Sequence, residues 1–173
     1  TADHDEHFSR DWIYIQVSFE ETNFANITYN LYNSDMEPIE NVRYYDETYH
    51  HNFTEKTDGL YYYNIEIVDK AGQITTTEIR NIVLDTTKPE VEIEKYPAEE
   101  LIEVLRETIN LTANFSDLYK DLVWINISHP SLDQDNLTYD NENFTFTYTP
   151  PVHGEYTVLV YGNDTVNNVE TSE

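Results

Sequence analysis

The chain has 173 residues, of which 39% are hydrophobic and 14% aromatic, and this composition excludes a disordered protein and predicts a packed core. The 34 acidic and 9 basic residues give a formal net charge of -25, which opposes binding to nucleic acid and to anionic membrane surfaces. Cysteine is absent, which excludes disulfides and thiolate metal sites. No apolar stretch has the roughly 20 residues of a membrane-spanning helix, so we expect no direct membrane insertion and an export signal outside this sequence.

Short segments with alternating apolar and polar residues follow one another along the chain. This period-2 pattern, rich in Tyr, Ile, Val, Thr and Phe, predicts β-strands. The predicted strands cover residues 13–19, 26–32, 60–68, 75–84, 91–96, 108–115, 122–128, 143–149 and 155–161. Only residues 97–108 have helical propensity, and an irregular strand fits them equally well. The sequence therefore predicts an all-β protein with strands spaced as in a sandwich.

The same pattern occurs twice along the sequence. Residues 58–65 correspond to 153–160 at an offset of 95, and residues 13–19 correspond to 109–115 at an offset of 96. Such fixed spacing indicates an internal repeat in which one strand order is used twice. We predict one domain at residues 1–88 and a second at 89–173, with a proline-stiffened linker at 85–89.

Two segments resemble a known family. DGLYYYNIEIVDKAGQITTTEIRNIVLDTTKPEVEI, at 58–93, resembles strands F and G and the linker of tandem immunoglobulin-like repeats in bacterial and archaeal cell-surface proteins, and NFANITYNLYNSDMEPI, at 23–39, resembles their C-strand region. The resemblance covers residues 12–97 well and the remainder more loosely. It implies two tandem immunoglobulin-like Greek-key β-sandwiches in an extracellular surface structure.

Aromatic residues have predicted roles within this fold. Tyr61 and Tyr156 occupy the start of strand F, where a tyrosine hydroxyl can bond to nearby backbone and fix the E–F corner. High β-propensity alone also explains tyrosine at these positions. Trp12 and Trp124 are expected in the core.

The two repeats differ at their ends. The second has a first strand at 91–96, whereas the first has only a polar segment before Trp12, and the second stops soon after its F–G turn. A sandwich without an edge strand exposes core and unpaired backbone groups. We therefore expect strands supplied either by flanking repeats or by exchange between copies, which in both cases gives a linear array.

The strongest local signal is Asn-x-Ser/Thr, the acceptor pattern for N-linked glycans. It occurs more often than chance placement predicts. An outward-inward-outward strand pattern produces the same spacing, but Asp, Lys or Ser would serve as well at the outward position. The predicted acceptors are Asn26, Asn52, Asn110, Asn114, Asn126, Asn136, Asn143 and Asn163.

Metal binding is a weaker prediction. Asp69, Asp85, Asp117 and Asp164 lie in turns or at the linker, where adjacent sandwiches could pool carboxylates for Ca2+. Solvated acidic turns explain the same residues. The His4-Asp5-Glu6-His7 and His50-His51 clusters offer ligands for zinc or nickel, but we expect them to be solvent-exposed.

These observations predict a non-enzymatic, glycosylated repeat of an extracellular assembly such as a filament, surface layer or stalk, with an archaeal source suggested by the resemblance. No serine lies in a nucleophile-elbow pattern, and the abundant carboxylates identify no catalytic pair. The alternatives are a carbohydrate- or protein-binding adhesin module, or accessory domains of a secreted hydrolase.

Overall fold

The computed structural model describes residues 6–96, 108–132, 135–139 and 145–172. The segment with helical propensity lies outside these ranges except for its last residue. The chain divides into two compact units, Thr1–Thr86 and Thr87–Glu173, next to the boundary expected at residue 88. Every regular element within these ranges is a β-strand, which confirms the all-β fold class. In the described residues no helix is long and apolar enough to span a bilayer.

Residues 6–86 of the first unit form a sandwich of eight strands in two sheets. The larger sheet has the order β1-β8-β6-β3-β4, with β7 also paired to β6, and the smaller sheet pairs β2 with β5. In immunoglobulin-like terms these are a sheet around strands C, F and G and a sheet of strands B and E. The strands are β1 (Glu6–Phe8), β2 (Ile13–Gln16), β3 (Phe24–Tyr32), β4 (Pro38–Tyr44), β5 (His50–Phe53), β6 (Gly59–Asp69), β7 (Ile74–Thr76) and β8 (Arg80–Leu84).

Alternating residues of the two sheets form the core of this unit. Ile13 and Ile15 of β2 face Ile27, Tyr29 and Leu31 of β3, and all five are fully buried. Complete burial of an aliphatic side chain contributes about 1.5–3 kcal/mol relative to exposure. The period-2 pattern in the sequence therefore becomes the packed interior.

The first unit was expected to lack a strand before Trp12, and this expectation is wrong because β1 occupies that position. β1 pairs in parallel with β8, with Glu6 opposite Ile82 and Phe8 opposite Leu84. Beyond the strands, the Asp85 amide donates to the Phe8 carbonyl at 3.0 Å. Three residues with one apolar anchor suffice because their backbone groups satisfy the edge of β8.

The second unit repeats this architecture with a different edge. One sheet has the order β13-β10-β9 and the other β12-β11-β14-β15, which are the A-B-E and C′-C-F-G sheets of an immunoglobulin-like sandwich. Its core includes Leu111, Phe115, Val123, Ile125 and Phe146. The strands are β9 (Glu90–Tyr96), β10 (Ile109–Ser116), β11 (Lys120–Ser128), β12 (Asp135–Tyr139), β13 (Thr145–Tyr148), β14 (Thr157–Asp164) and β15 (Val169–Ser172).

The final strand of the second unit is short rather than missing. β15 pairs with residues 160–163 of β14. In the first unit, β8 pairs with residues 59–63 of the corresponding strand, β6, and β7 pairs with 66–68. Across the described residues, positions 157–159 of β14 have a strand partner only on the β11 side, so this stretch is an edge.

The tyrosine corner is present in both units, as predicted. The Tyr61 hydroxyl donates to the Thr57 carbonyl at 2.8 Å, and the Tyr156 hydroxyl donates to the Val152 carbonyl at 3.0 Å. Each bond reaches back four residues, and the two tyrosines are 95 positions apart. The repeat therefore includes a side-chain to backbone bond as well as the strand order.

Both tryptophans were predicted in the core, and both predictions are wrong. Trp12 is 37% exposed, and the Arg10 guanidinium lies between it and Phe8, 3.9 and 4.0 Å from the two ring centroids. Trp124 is half-buried on the outer side of β11 and stacks on Tyr161 with centroids 5.2 Å apart. Its neighbours Val123 and Ile125 face inward because successive strand residues alternate sides.

Gly162 marks a close approach between the sheets of the second unit. A Cβ atom at this position would lie 2.7 Å from Val91 Cγ2 and 2.8 Å from Phe115 Cε2. Ordinary contacts between carbon atoms are about 3.5–4.0 Å, so only glycine fits without movement of its neighbours.

Candidate functional site

Two predicted glycan acceptors lie side by side on β10. Leu111, Ala113 and Phe115 face the core, so alternation directs Asn110 and Asn114 to the outside, where both are exposed. Their sequon hydroxyls, on Thr112 and Ser116, lie on the same face. At about 3.3 Å per residue, the two acceptors are roughly 13 Å apart along one strand.

The surroundings of Asn114 form a shallow groove of about 520 Å³ on this outer face. The Asn114 amide nitrogen donates to Glu94 Oε1 at 3.0 Å. The Thr112 and Thr145 hydroxyls lie 3.4 Å apart across the neighbouring strand pair. The side of the groove toward β9 carries the carboxylates of Glu90 and Glu92, so the acceptor lies on an acidic, water-exposed surface.

The first unit contains one exposed and one half-buried acceptor. Asn52 is exposed on β5, opposite Tyr14 of β2. Asn26 is half-buried on β3, and the hydroxyl of its sequon residue, Thr28, is buried and accepts a hydrogen bond from Arg43 Nε at 2.9 Å. Of these two, Asn52 has the environment that an attached sugar requires.

Two further acceptors are buried in the second unit. Asn126 is 7% exposed and Asn163 is 8% exposed. The Asn163 amide nitrogen donates to Asp121 Oδ2 at 3.1 Å, and its oxygen accepts from the Leu122 amide at 3.1 Å. A glycan on Asn163 would have to displace this packing. Asn143 and the side chain of Asn136 lie outside the described part of the structure.

Two of the calcium candidates have the same local role in the two repeats. Asp69 Oδ1 accepts from the Ala71 and Gln73 amides, each at 2.8 Å. Asp164 Oδ1 accepts from the Val166 and Asn168 amides, each at 2.9 Å. Both carboxylates therefore cap the F–G turn, as Asp often does in turns, and this role explains their recurrence at an offset of 95.

The other two candidates occupy different positions. Asp117 Oδ1 accepts from the Tyr119 amide at 2.6 Å, and a carboxylate oxygen of Asp117 lies within 4.8 Å of one of Asp164. Asp85 follows β8 and is 4% exposed. Two nearby carboxylates repel each other unless a proton or cation intervenes, so calcium binding in the second unit stays a prediction.

The adjacent histidines of β5 point to opposite sides of the strand. His51 Nδ1 lies 2.8 Å from the Tyr44 hydroxyl, and its ring contacts Phe53 at a centroid distance of 4.5 Å. Burial lowers the pKa of His51 below its usual value, which favours the neutral ring. His50 is exposed beside Tyr14. The pair is therefore not arranged to chelate one metal ion, and His4 lies outside the described residues.

A polar cluster on the outer face of the first unit was not predicted from the sequence. Asn64 Oδ1 accepts from Asn30 Nδ2 at 3.1 Å and from the Tyr32 hydroxyl at 3.3 Å. The sequence signal is an Asn or Tyr at alternate positions of two predicted strands. The sequence does not show that β3 and β6 are neighbours, so the cluster can be recognised only once their pairing is known.

No protein-family model matches the chain, and no curated protein sequence matches it. Solved structures with a similar fold include fibronectin(III)-like modules of CbhA from Clostridium thermocellum, at 16% identity and a TM-score of 0.45, covering 99% of this chain and 88% of that one. An amphioxus IgVJ-C2 molecule is 13% identical with a TM-score of 0.48, covering 96% of this chain and 97% of that one. A 1.5-MDa bacterial ice-binding adhesin is 12% identical with a TM-score of 0.41, covering 95% of this chain and 57% of that one.

Proposed function

We propose that this chain is a structural, non-enzymatic segment of an extracellular assembly, a filament, surface layer or stalk, in which sandwiches follow one another in a linear array. The observation that carries the proposal is the repetition itself. Both units have their own core, the same strand succession and the same tyrosine corner. Repeated units with separate cores extend a chain without requiring a new fold at each step.

We also propose that edge strands of these sandwiches are completed by their neighbours in the array. An exposed edge with free backbone groups is a template for strand addition. The added strand comes from a flanking repeat or from another copy.

Imaging of the native particle tests the array directly. We expect cryo-electron microscopy of native surface material to show a helical or lattice repeat with two sandwiches per chain segment. Hydrogen exchange should also show protected amides at 157–159 in the assembled material and rapid exchange there in the isolated 173-residue chain. Isolated particles with unchanged exchange at this edge would contradict the proposal.

Glycosylation is the second part of the proposal, and burial determines which acceptors carry it. We expect N-linked glycans on Asn52, Asn110 and Asn114, where the acceptor is exposed. Asn126 and Asn163 are expected to be unmodified in the folded protein. Glycopeptide mass spectrometry of the native protein should find hexose-containing additions on the peptides that carry these three asparagines. Unmodified peptides at all three positions would remove the glycoprotein claim while leaving the array untouched.

A further inference from the structure

The outer face of the larger sheet in the first unit carries two rows of uncharged polar side chains. In one row Asn30 of β3 lies between Asn41 of β4 and Asn64 of β6. In the next row Tyr32 lies opposite Tyr62. Asn41 is exposed and the other four side chains are half-buried. We call these five residues the amide–tyrosine face.

Hydrogen bonds within this face set its outward chemistry. Asn64 Oδ1 accepts from both Asn30 Nδ2 and the Tyr32 hydroxyl. Asn64 Oδ1 is therefore occupied, and the side-chain nitrogen of Asn64 can donate to a ligand. The side-chain oxygen of Asn30 can accept from a ligand. A ligand with groups that both donate and accept would satisfy the two at once.

The charge of the face differs from that of the chain. The protein has a formal net charge of -25, yet the two rows contain no ionised side chain. The adjacent row contains Thr28 with Arg43 on one side and Glu66 on the other, so its charges cancel. The five side chains of the face are therefore uncharged, while the β3–β4 turn beyond Tyr32 carries the carboxylates of Asp35 and Glu37.

We propose that the amide–tyrosine face binds a neutral oligosaccharide. Sugar hydroxyls donate and accept together, which matches the free amide nitrogen of Asn64 and the free oxygen of Asn30. The apolar side of a pyranose ring can pack on Tyr32 and Tyr62, which offer a flat hydrophobic surface with a polar tip. This binding role goes beyond the structural role and does not depend on the array or on glycosylation.

Electrostatics favours a neutral saccharide over an anionic one as the ligand of this face. An anionic polysaccharide is repelled by the net charge of -25, because like charges repel at long range. A neutral saccharide does not experience this repulsion. Its binding should therefore change little with salt, since no long-range charge term contributes.

A charge substitution with a matched control tests the proposal. The probes are neutral gluco-, manno- and galacto-configured hexasaccharides on an array, followed by calorimetric titration of the hits with the 173-residue chain. Asn64→Asp keeps an oxygen for Asn30 and Tyr32 but removes the donor and adds a charge, so we expect at least a tenfold loss of affinity. Asn52→Asp makes the same change on the smaller sheet of the same unit and should leave affinity unchanged. Tyr62→Ala provides a second variant if Asn64→Asp fails to fold.

The expected result is binding of at least one hexasaccharide at both 50 and 500 mM NaCl, lost in Asn64→Asp and Tyr62→Ala and retained in Asn52→Asp. Absence of binding to all three probes overturns the proposal. Equal losses in Asn64→Asp and Asn52→Asp overturn it as well, because the effect would then come from added charge alone. Sedimentation that shows self-association of the wild type, abolished by Asn64→Asp, assigns the face to a second copy and also overturns it.

Discussion

Removal of one hydroxyl from the tyrosine corner should destabilise the first unit. Tyr61 is buried, and its hydroxyl donates to the Thr57 carbonyl at 2.8 Å and lies 3.2 Å from the Thr57 hydroxyl. In Tyr61→Phe the Thr57 carbonyl loses this partner. Loss of a hydrogen bond by a partly buried group lowers the free energy of unfolding by about 1–2 kcal/mol. Since about 1 kcal/mol corresponds to roughly 4–8 °C in a domain of this size, we expect the Tm of the first unit to fall by about 4–16 °C.

Differential scanning calorimetry measures this shift, and the next residue is its control. Tyr62 lies on the opposite side of β6, and its hydroxyl makes no hydrogen bond within the described residues. Tyr62→Phe should therefore shift the Tm by no more than about 2–4 °C, the change expected for a surface substitution. Equal shifts for Tyr61→Phe and Tyr62→Phe would refute the reasoning, because the loss would then not depend on the corner bond.

Three further predictions concern other positions. Gly162→Ala should destabilise the second unit by about 1–3 kcal/mol in urea unfolding, because the added methyl group meets Val91 and Phe115; an unchanged midpoint would contradict the close approach. Because burial lowers the pKa of His51, the unfolded chain takes up a proton near pH 6.5 before the folded one does, so the free energy of unfolding should fall as pH drops below about 6.5. His51→Gln should reduce that fall in urea titrations at pH 7.5 and 5.5, and an identical fall would contradict it. Millimolar Ca2+ should raise the Tm of the wild type more than that of Asp164→Asn; equal shifts would assign the effect to general charge screening.

The sequence predicted the long central strands because their periodicity is strong. Residues 60–68 and 122–128 alternate over several positions, and they lie within β6 and β11. The short strands β1 and β5 were missed because segments such as His50-His51-Asn52-Phe53 show no apolar alternation. These segments become strands because they pair with β8 and β2. Since those strands are distant in sequence, the residues of β1 and β5 alone do not predict the pairing.

Side-chain environment was predicted less well than strand positions. Alternation directs Asn126 away from the core of the second unit, but this asparagine is nevertheless buried, since the outer surface of a sheet can be covered by its own neighbours. Trp12 was predicted in the core, whereas its contact with Arg10 depends on how the chain passes between sheets. Asp164 was recognised as a turn residue, but its two amide partners follow from the turn geometry alone.

The parallel pairing of β1 with β8 has a consequence for tension along the first unit. β1 and β8 are the first and last strands of that unit, and they run in the same direction side by side. A force that pulls the two ends apart therefore slides one strand along the other and loads their hydrogen bonds together. Antiparallel neighbours pulled from one end would open a single bond at a time. A strand of only three residues is thus placed where it resists stretching in shear.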